Sequence, residues 1–232
     1  MSISIVIPVY NESGQILELL NHLKQNSQNS VEDILVVDGQ SSDDTVQKVR
    51  AAGFTCLISP EKGRAAQMNL GARKTNGDLL YFVHADSIPP TTYVSDILEA
   101  VRDGAESGCY RFTFDSSHPL LKVNAWFTRF DRLMCRGGDQ TLFIIRDVFE
   151  ELDGFKDYAI MEDFEMIRRL RERNTFRILP KEVTVSARKY EENSYLKVNF
   201  INLIIFTMFY FGASENTMLH AYKSLISGTK FG

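Results

Sequence analysis

The sequence of 232 residues contains only three cysteines and four histidines. Cys56, Cys109 and Cys135 are odd in number and have no metal-ligand spacing, which argues against a disulfide framework and against a zinc site. The histidines form no metal pattern either. We interpret the cysteines as reduced thiols of a cytoplasmic protein. We expect no signal peptide, because no basic leader precedes the first apolar segment.

Motifs that bind phosphates or carry a nucleophile are also absent. No G-x-G-x-x-G follows the first predicted strand, which argues against a dinucleotide-binding turn. No P-loop is present, and no serine or cysteine lies in a nucleophile elbow. The chemistry of the chain therefore depends on its acidic and basic side chains.

Basic residues are scarce in the first part of the chain. Residues 1–100 carry seven basic and twelve acidic side chains, although the net charge of the whole chain is only −4. Residues 167–189 instead carry eight basic side chains against two acidic ones. Such a run is usually a solvated helix face, but its position before an apolar segment leaves a phosphate or anionic-lipid partner open. We expect no nucleic-acid partner.

Four apolar segments in the first half predict buried strands, with helical spacing of apolar residues between them. The strands are predicted at 3–9, 34–37, 54–59 and 79–83. A βαβαβαβ order favours a parallel sheet with right-handed crossovers. Because the C-terminal ends of parallel strands share one edge, we expect the polar residues that follow them to form one site. These residues are Tyr10, Glu12, Asp38, Lys62, Arg64 and Asp86.

The second half is less regular. Strands are predicted at 108–114, 142–145, 176–179 and 183–187, and helices at 92–103, 120–134, 162–173 and 195–211. The last of these helices is apolar on nearly all sides but falls short of the ~18 uninterrupted apolar residues of a membrane span. It must therefore be buried in the protein, in a dimer or in a lipid interface, and the sequence leaves these three open.

The acidic and basic residues at the strand ends suit different parts of a nucleotide. Asp86 offers an oxygen ligand to a hard divalent cation, and Asp38 offers an acceptor to a nucleobase. Arg64 lies at a helix start, where a diphosphate is favoured. Glu162 and Asp163 offer a general base, although acidic residues in a first helical turn are also ordinary caps. In the same way, Ser42 is predicted as the N-cap of the helix that follows the second strand.

Two strand-end motifs carry a resemblance to a known family. Residues 6–12 read V-I-P-V-Y-N-E, and residues 36–45 read V-V-D-G-Q-S-S-D-D-T. Together and in this order they resemble family 2 glycosyltransferases with the GT-A fold, over residues 3 to about 190. Residues 62–69 and 138–140 resemble a small bacterial subgroup, some members of which are linked with arsenosugar biosynthesis.

The resemblance implies an α/β fold of GT-A type, with a mostly parallel central sheet flanked by helices. The glycosyltransferase domain would span 1–190, with a nucleotide-sugar-binding half at 1–103 and an acceptor-side half at 104–190. Apolar helices at 191–232 would follow as a C-terminal extension. The implied reaction is an inverting transfer from a UDP- or GDP-linked sugar to an acceptor hydroxyl with Mn²⁺ or Mg²⁺. A lipid-borne acceptor, a homodimer and contact with the cytoplasmic face of a membrane stay open.

The site residues follow from the same resemblance. They are Pro8, Tyr10, Glu12 and Asp38 for the nucleoside, Arg64 and Arg188 for the donor phosphates, Asp86 for the metal, Asp163 with Glu162 for the base, and Asp139 and Gln140 for the acceptor side. His84 stands where the family motif D-x-D has its first aspartate. A neutral imidazole there would contact the ribose or a metal-bound water.

Two other functions are compatible with the same residues. One is a sugar-1-phosphate nucleotidyltransferase, which is disfavoured because a Gly-rich phosphate loop after the first strand is missing. The other is a non-catalytic protein that binds nucleotide sugars or associates with a membrane. Turnover of any nucleotide sugar would exclude the second of these.

Overall fold

One eight-stranded sheet runs through the body of the protein. The computed structural model describes residues 1–225, apart from the side chains of 191 and 192. The strands are β1 Ile3–Val9, β2 Val31–Asp38, β3 Thr55–Ile58, β4 Leu79–Phe82, β5 Ser87–Ile88, β6 Ser107–Phe114, β7 Leu142–Ile145 and β8 Phe176–Val185. They lie in the order β3-β2-β1-β4-β7-β6-β8-β5, so the two predicted halves share a single sheet.

Helices cover both faces of this sheet, which confirms the predicted α/β class. They are α1 Ile16–Gln25, α2 Thr45–Ala51, α3 Arg64–Arg73, α4 Tyr93–Arg102, α5 Pro119–Phe127, α6 Arg146–Glu151, α7 Glu162–Glu172, α8 Arg188–Glu192, α9 Tyr195–Tyr210 and α10 Glu215–Leu225. Apolar residues of α1, α2 and α4 fill the core on one face, and those of α3, α6 and α7 fill it on the other. The fully buried β1 contributes alternate residues to the two cores, as period-two alternation requires.

Strands β1 to β4 run parallel to one another, so their C-terminal ends share one edge, as predicted. β1 pairs with β2 and β4, and β2 pairs with β3. Pro8 is buried inside β1, and its missing N–H faces β4, because the neighbouring Val9 carbonyl accepts from Gly39 on the β2 side at 2.8 Å. Pairing with β4 already stops at Val6 and Phe82, so no hydrogen bond of the sheet is lost because Pro8 has no N–H.

The second half completes the sheet with strands of both directions. β7 is antiparallel to β4 and β6, and β6 is parallel to β8. The strands predicted at 176–179 and 183–187 are one continuous strand, β8. Leu179 and Glu182 pair with consecutive residues of β6, so Pro180, which has no N–H, is left out of the ladder without ending the strand.

The helices of the second half also differ from expectation. The helix predicted at 120–134 ends at Phe127, because the Arg136 guanidinium reaches back to the carbonyls of Thr128 and Phe130. These bonds satisfy carbonyl groups that a longer helix would have paired internally. Helices α6 and α8 were not predicted.

Helix α9 forms the apolar segment predicted at 195–211. One of its faces packs with α10 in a third apolar cluster, which includes Val198, Ile201 and Met218. Among the residues that the structure describes, no helix is both long enough and apolar enough to cross a membrane.

Candidate active site

Asp38, the last residue of β2, has a buried carboxylate with one unused oxygen. Its side chain is 1% exposed. Oδ2 accepts from the backbone N–H of Ser41 at 2.9 Å, whereas Oδ1 has no hydrogen-bond partner within the described part of the chain. Buried polar atoms are nearly always paired in proteins. This oxygen is therefore a candidate acceptor for the N–H of a ligand.

Asn11 ties together the loops that follow β1 and β2. Its Oδ1 accepts from the N–H of Ser42 at 2.8 Å, and its own N–H donates to Oγ of Ser41 at 2.8 Å. Its φ of 54° is left-handed, which asparagine tolerates better than most residues. Ser42 is consequently not the helix cap that was predicted, and α2 begins only at Thr45. Asn11 lies in the quoted motif, but sequence reasoning gave it no role.

Gln67 of α3 is a second residue that sequence reasoning missed. Its buried Nε2 donates to the carbonyls of Val9 at 2.8 Å and Val37 at 2.7 Å. A Cβ on Gly39 would lie 3.1 Å from the Gln67 amide, so the glycine permits this close approach. Gln67 therefore fixes the ends of β1 and β2 relative to each other, and with them Asp38. A lone polar residue on the buried face of α3 is the signal that could have identified it.

The end of β8 reaches the same edge of the sheet. The Ser186 N–H donates to the Asp86 carbonyl at 3.0 Å, which joins the end of β8 to the loop between β4 and β5. Two residues further on, Nη2 of Arg188 lies 3.4 Å from Oε2 of Glu12. Two predicted donor-binding residues that are 176 positions apart thus meet in space. Tyr10, also predicted there, follows β1 and is partly buried.

His84, Gly138 and Asp163 pack against one another. A Cβ on Gly138 would lie 2.3 Å from Cε1 of His84 and 2.9 Å from Oδ2 of Asp163, so a larger residue does not fit. Asp163 Oδ2 accepts from the Gly138 N–H, and its Oδ1 accepts from the Phe164 N–H at 2.8 Å. Burial, helped by the charge of Arg64, lowers the pKa of His84 to about 4. The imidazole is therefore neutral at pH 7.

Arg64 and Glu162 form an ion pair between the first residues of α3 and α7. Arg64 Nε lies 2.8 Å from Glu162 Oε1; the arginine side chain is 50% exposed and the glutamate side chain is fully buried. Burial raises the pKa of Glu162 to about 7 despite the attraction of Arg64. Within residues 1–225, neither oxygen of Glu162 accepts a well-directed hydrogen bond. An incoming phosphate can therefore compete for Arg64 without breaking such a bond.

Asp86 follows β4 and is influenced by a second carboxylate, that of Asp139. Burial and the charge of Asp139 raise the pKa of Asp86 to about 6. In the described chain, no three side chains of His, Cys, Asp or Glu come together as a cation site. A single carboxylate still suits Mn²⁺ or Mg²⁺ where waters and substrate phosphates supply the other ligands. The residues present fit a metal site that the substrate completes.

Gln140, which was predicted for the acceptor side, is fully buried. Its Nε2 donates to the carbonyl of Cys135 at 2.9 Å, and its Oε1 accepts from Sγ of Cys109 at 3.4 Å. Both polar atoms are thus used inside the protein, and Gln140 supports the turn that carries Asp139 and Gly138. Asp139 itself is exposed.

The buried Glu162 predicts a pH effect on stability. Its pKa is about 7 in the folded protein against an ordinary value of 4.5, so the folded protein holds this proton more tightly than the unfolded chain does. The free energy of unfolding should therefore fall by up to about 3 kcal/mol from this group as pH rises from about 4.5 to about 7. Urea unfolding between pH 4.5 and 8 should show this slope in the wild type and a weaker one in Glu162→Gln. Glu172→Gln, on the exposed end of α7, is the control; equal slopes in all three would contradict the assignment.

Comparison with known proteins places the chain in a family. Residues 4–152 of the 232 match the family model "Glycosyl transferase family 2". The dolichol-phosphate mannosyltransferase of Pyrococcus furiosus is 27% identical over 111 residues, which cover 46% of this chain and 32% of that protein. Glycosyltransferase AglE of Haloferax volcanii is 27% identical over 173 residues, which cover 68% of this chain and 57% of that protein. The chain thus spans between about a third and just over half of these relatives.

Solved structures share the fold at low sequence identity. Residues 1–349 of S. aureus TarS superpose with a TM-score of 0.67 at 15% identity, covering 97% of this chain and 72% of that one. The mannosyltransferase PcManGT of Pyrobaculum calidifontis, in complex with GDP-Man and Mn²⁺, gives 0.65 at 18% identity, covering 96% and 69%. Glucosyl-3-phosphoglycerate synthase of Mycobacterium tuberculosis, with Mn²⁺, UDP and phosphoglyceric acid, gives 0.66 at 15% identity, covering 92% and 79%. The fold is therefore of the GT-A type, and the chain belongs to glycosyl transferase family 2.

Proposed function

We propose that this chain transfers a sugar, with inversion, from a nucleotide-diphosphate sugar to an acceptor hydroxyl. The observation that carries the proposal is the meeting of five groups at the edge where the parallel strands end. Asp38 has a buried oxygen there that has no partner among residues 1–225, and the Arg64–Glu162 pair, Asp163 and Asp86 belong to the same edge and the turns beside it. This set combines an acceptor for the N–H of a nucleobase (Asp38), a guanidinium that can exchange its carboxylate for a phosphate (Arg64), and a candidate general base (Asp163).

The donor would bind with its base at Asp38 and its diphosphate at Arg64. Asp38 Oδ1 would accept an N–H of the nucleobase. Arg64 lies at the N-terminus of α3, where backbone N–H groups also favour a phosphate. The guanidinium would leave Glu162 for the diphosphate, because two phosphates offer more negative charge and better-directed oxygens than one buried carboxylate. Glu162, with a pKa near 7, can take up a proton when it loses its cation.

A divalent cation would be held by Asp86 together with the donor phosphates. Such an ion would neutralise charge on the departing diphosphate. The raised pKa of Asp86 reflects a carboxylate that lies near Asp139 and is short of positive charge, which fits a cation partner. Two structural neighbours contain Mn²⁺, PcManGT and glucosyl-3-phosphoglycerate synthase.

Asp163 would act as the general base for the acceptor. The acceptor oxygen forms the new bond to the anomeric carbon as the bond from that carbon to the diphosphate breaks. The leaving electron pair stays on the diphosphate, and the hydroxyl proton passes to Asp163. Attack from the face opposite the leaving group gives inversion. Each oxygen of Asp163 accepts one backbone N–H and keeps a second lone pair for this proton.

The family match favours this reaction over the nucleotidyltransferase. The donor is proposed to be UDP- or GDP-linked, because structural neighbours hold UDP-GlcNAc, UDP or GDP-Man. The resemblance to the arsenosugar-linked subgroup is carried by none of the relatives named above and does not guide the donor or acceptor. Residues 1–190 as the catalytic domain and a cytoplasmic location stay predictions.

A transfer assay tests the proposed function. Purified protein is incubated with a panel of UDP- and GDP-sugars, with Mn²⁺ or with EDTA, and with pooled polyol, sugar and lipid-extract acceptors. We expect release of UDP or GDP from at least one donor with Mn²⁺, and a product whose mass is raised by one sugar. Tight binding of a nucleotide sugar without any release in these pools would instead support the non-catalytic alternative.

A further inference from the structure

Exposed apolar side chains are concentrated in two segments, α5 with the residues that follow it and α9 with Phe211 at its end. Fourteen large hydrophobic residues are well exposed in the described part of the chain, and eleven of them lie at 120–134 or 196–211. They are Leu120, Val123, Trp126, Phe127, Phe130, Met134, Leu196, Phe200, Leu203, Tyr210 and Phe211, each between 41% and 80% exposed. A soluble surface rarely collects so many, which marks this region as a contact surface.

Helix α9 has two apolar faces on opposite sides. At 100° per residue, the exposed Leu196, Phe200, Leu203 and Tyr210 fall on one face. The buried Val198, Ile201, Ile205 and Phe209 fall on the opposite face, against α10. Core packing therefore accounts for only one of the two faces.

The apolar stripes of α5 and α9 adjoin each other. Nδ2 of Asn124 donates to Oδ1 of Asn199 at 2.8 Å, and the Tyr195 hydroxyl donates to Oδ1 of Asn124 at 2.8 Å. Phe127 lies one turn after Asn124, and Phe200 lies next to Asn199. The two stripes thus flank a hydrogen-bonded seam and form one surface, which we call the α5–α9 face.

The two helices that form this face carry basic side chains and no acidic ones. Residues 116–130 and 193–214 contain no aspartate or glutamate, although the whole chain has a net charge of −4. Their cationic side chains are Lys122, Arg129 and Lys197, and none of the three pairs with a carboxylate among the described residues. The Arg129 guanidinium lies 5.0 Å from the centre of the Trp126 ring. Asp131, directly after the first of these ranges, pairs with Arg171 at 3.0 Å.

We propose that the α5–α9 face binds the surface of an anionic lipid bilayer. Exposed Trp, Phe and Leu beside Lys and Arg, with no acidic residue, are what an interfacial helix needs to enter the headgroup region. A subunit interface between two copies of this face is less suited, because three uncompensated cations on one copy would face the three on the other. The proposal goes beyond the proposed transfer reaction and does not depend on it.

The position of the face connects it to the proposed acceptor side. Phe164 follows Asp163 directly, and its ring centre lies 5.7 Å from that of Phe206 and 6.3 Å from that of Phe209, both in α9. The helix that would lie on the bilayer is therefore one side chain away from the proposed base. If the transfer reaction is as proposed, an acceptor carried in the bilayer would reach Asp163 past this helix.

Vesicle sedimentation without donor or acceptor tests the proposal, so its failure would leave the transfer reaction untouched. The wild type should sediment with phosphatidylcholine vesicles that contain about 30% phosphatidylglycerol, and much less with pure phosphatidylcholine. Phe200→Ser combined with Leu203→Ser should lower this binding by about tenfold or more. Ile58→Ser, an equally exposed apolar residue on β3, is the matched control and should bind as the wild type does.

A triple charge-reversal variant tests how much the basic side chains contribute to vesicle binding. Lys122→Glu, Arg129→Glu and Lys197→Glu combined should remove the preference for phosphatidylglycerol. Three reversals elsewhere on the surface, Lys24→Glu, Lys74→Glu and Arg102→Glu, serve as the control and should keep most of it. Thermal unfolding of every variant checks that the fold is intact.

Two results would overturn the proposal. One is that the wild type does not bind phosphatidylglycerol vesicles, or that the Phe200→Ser and Leu203→Ser double variant binds them as well as the wild type does. The other is a dimer by light scattering that these two substitutions convert to a monomer, which would make the face a subunit interface.

Discussion

Asp163→Asn should lower the rate of sugar transfer by about a hundredfold or more, because the amide cannot accept the acceptor proton. Binding of the nucleoside diphosphate should change little, since Asp163 contacts the turn at Gly138 and not the strand end that carries Asp38. Initial rates at saturating donor, together with the Kd of the nucleoside diphosphate, measure the two effects separately.

Asp147→Asn is the matched control for this variant. Asp147 is likewise an acidic residue in the first turn of a helix, α6, but it is exposed and remote from Gly138, so its variant should transfer sugar at the wild-type rate. A nearly normal rate for Asp163→Asn would indicate that Asp163 only caps helix α7 and is not the general base. An equal loss of donor affinity would instead make it part of the donor site.

Arg64→Met should weaken binding of the donor diphosphate by roughly tenfold to a hundredfold, which is the range for a lost hydrogen bond to a charged group. The methionine keeps much of the side-chain volume but has neither the charge nor the N–H groups that would bind a phosphate. Without its cation, Glu162 should be protonated over a wider pH range than in the wild type, because the charge of Arg64 is the largest influence that lowers its pKa. Calorimetric titration of the nucleoside diphosphate gives the affinity.

Arg73→Met provides the control for Arg64→Met. Arg73 is an exposed arginine at the other end of α3, so it reports on the loss of one charge from the same helix. Equal affinities in the wild type and Arg64→Met would show that the Arg64–Glu162 pair only stabilises the fold. In that case, urea unfolding of Arg64→Met should show a loss of stability without any loss of binding.

The edge of the sheet that holds the site could be predicted because it depends on local signals. Apolar runs such as 79–83, each followed by a polar residue, define parallel strands and their ends. Because parallel strands end at the same edge of a sheet, Asp38 and Asp86 are expected at one edge without any knowledge of contacts. Asp163 was identified as a possible base from the acidic pair at a predicted helix start, where helix capping was the competing interpretation. Arg188 was predicted only through the resemblance, because its element belongs to the irregular second half.

The contacts that position the site could not be predicted, because they join residues far apart in the chain. Gln67 reaches 58 residues back to Val9, and its two bonds require the exact crossing of α3 over two strands. The Arg64–Glu162 pair likewise depends on where α7 begins. The burial of Gln140 could not be predicted either: the resemblance assigned this residue to the acceptor side, and only the structure shows that its side chain is buried.

The central claim is that the ends of the parallel strands form a nucleotide-sugar site completed by a metal at Asp86. It is tested most directly by calorimetric titration of UDP and GDP into the wild type and Asp86→Asn, each with Mn²⁺ and with EDTA, and with Asp103→Asn as an exposed control. The wild type and the control should bind one of the two nucleotides more tightly with Mn²⁺, and Asp86→Asn should bind it weakly and equally in both conditions. Binding of neither nucleotide, or full Mn²⁺-dependent binding by Asp86→Asn, would contradict the claim.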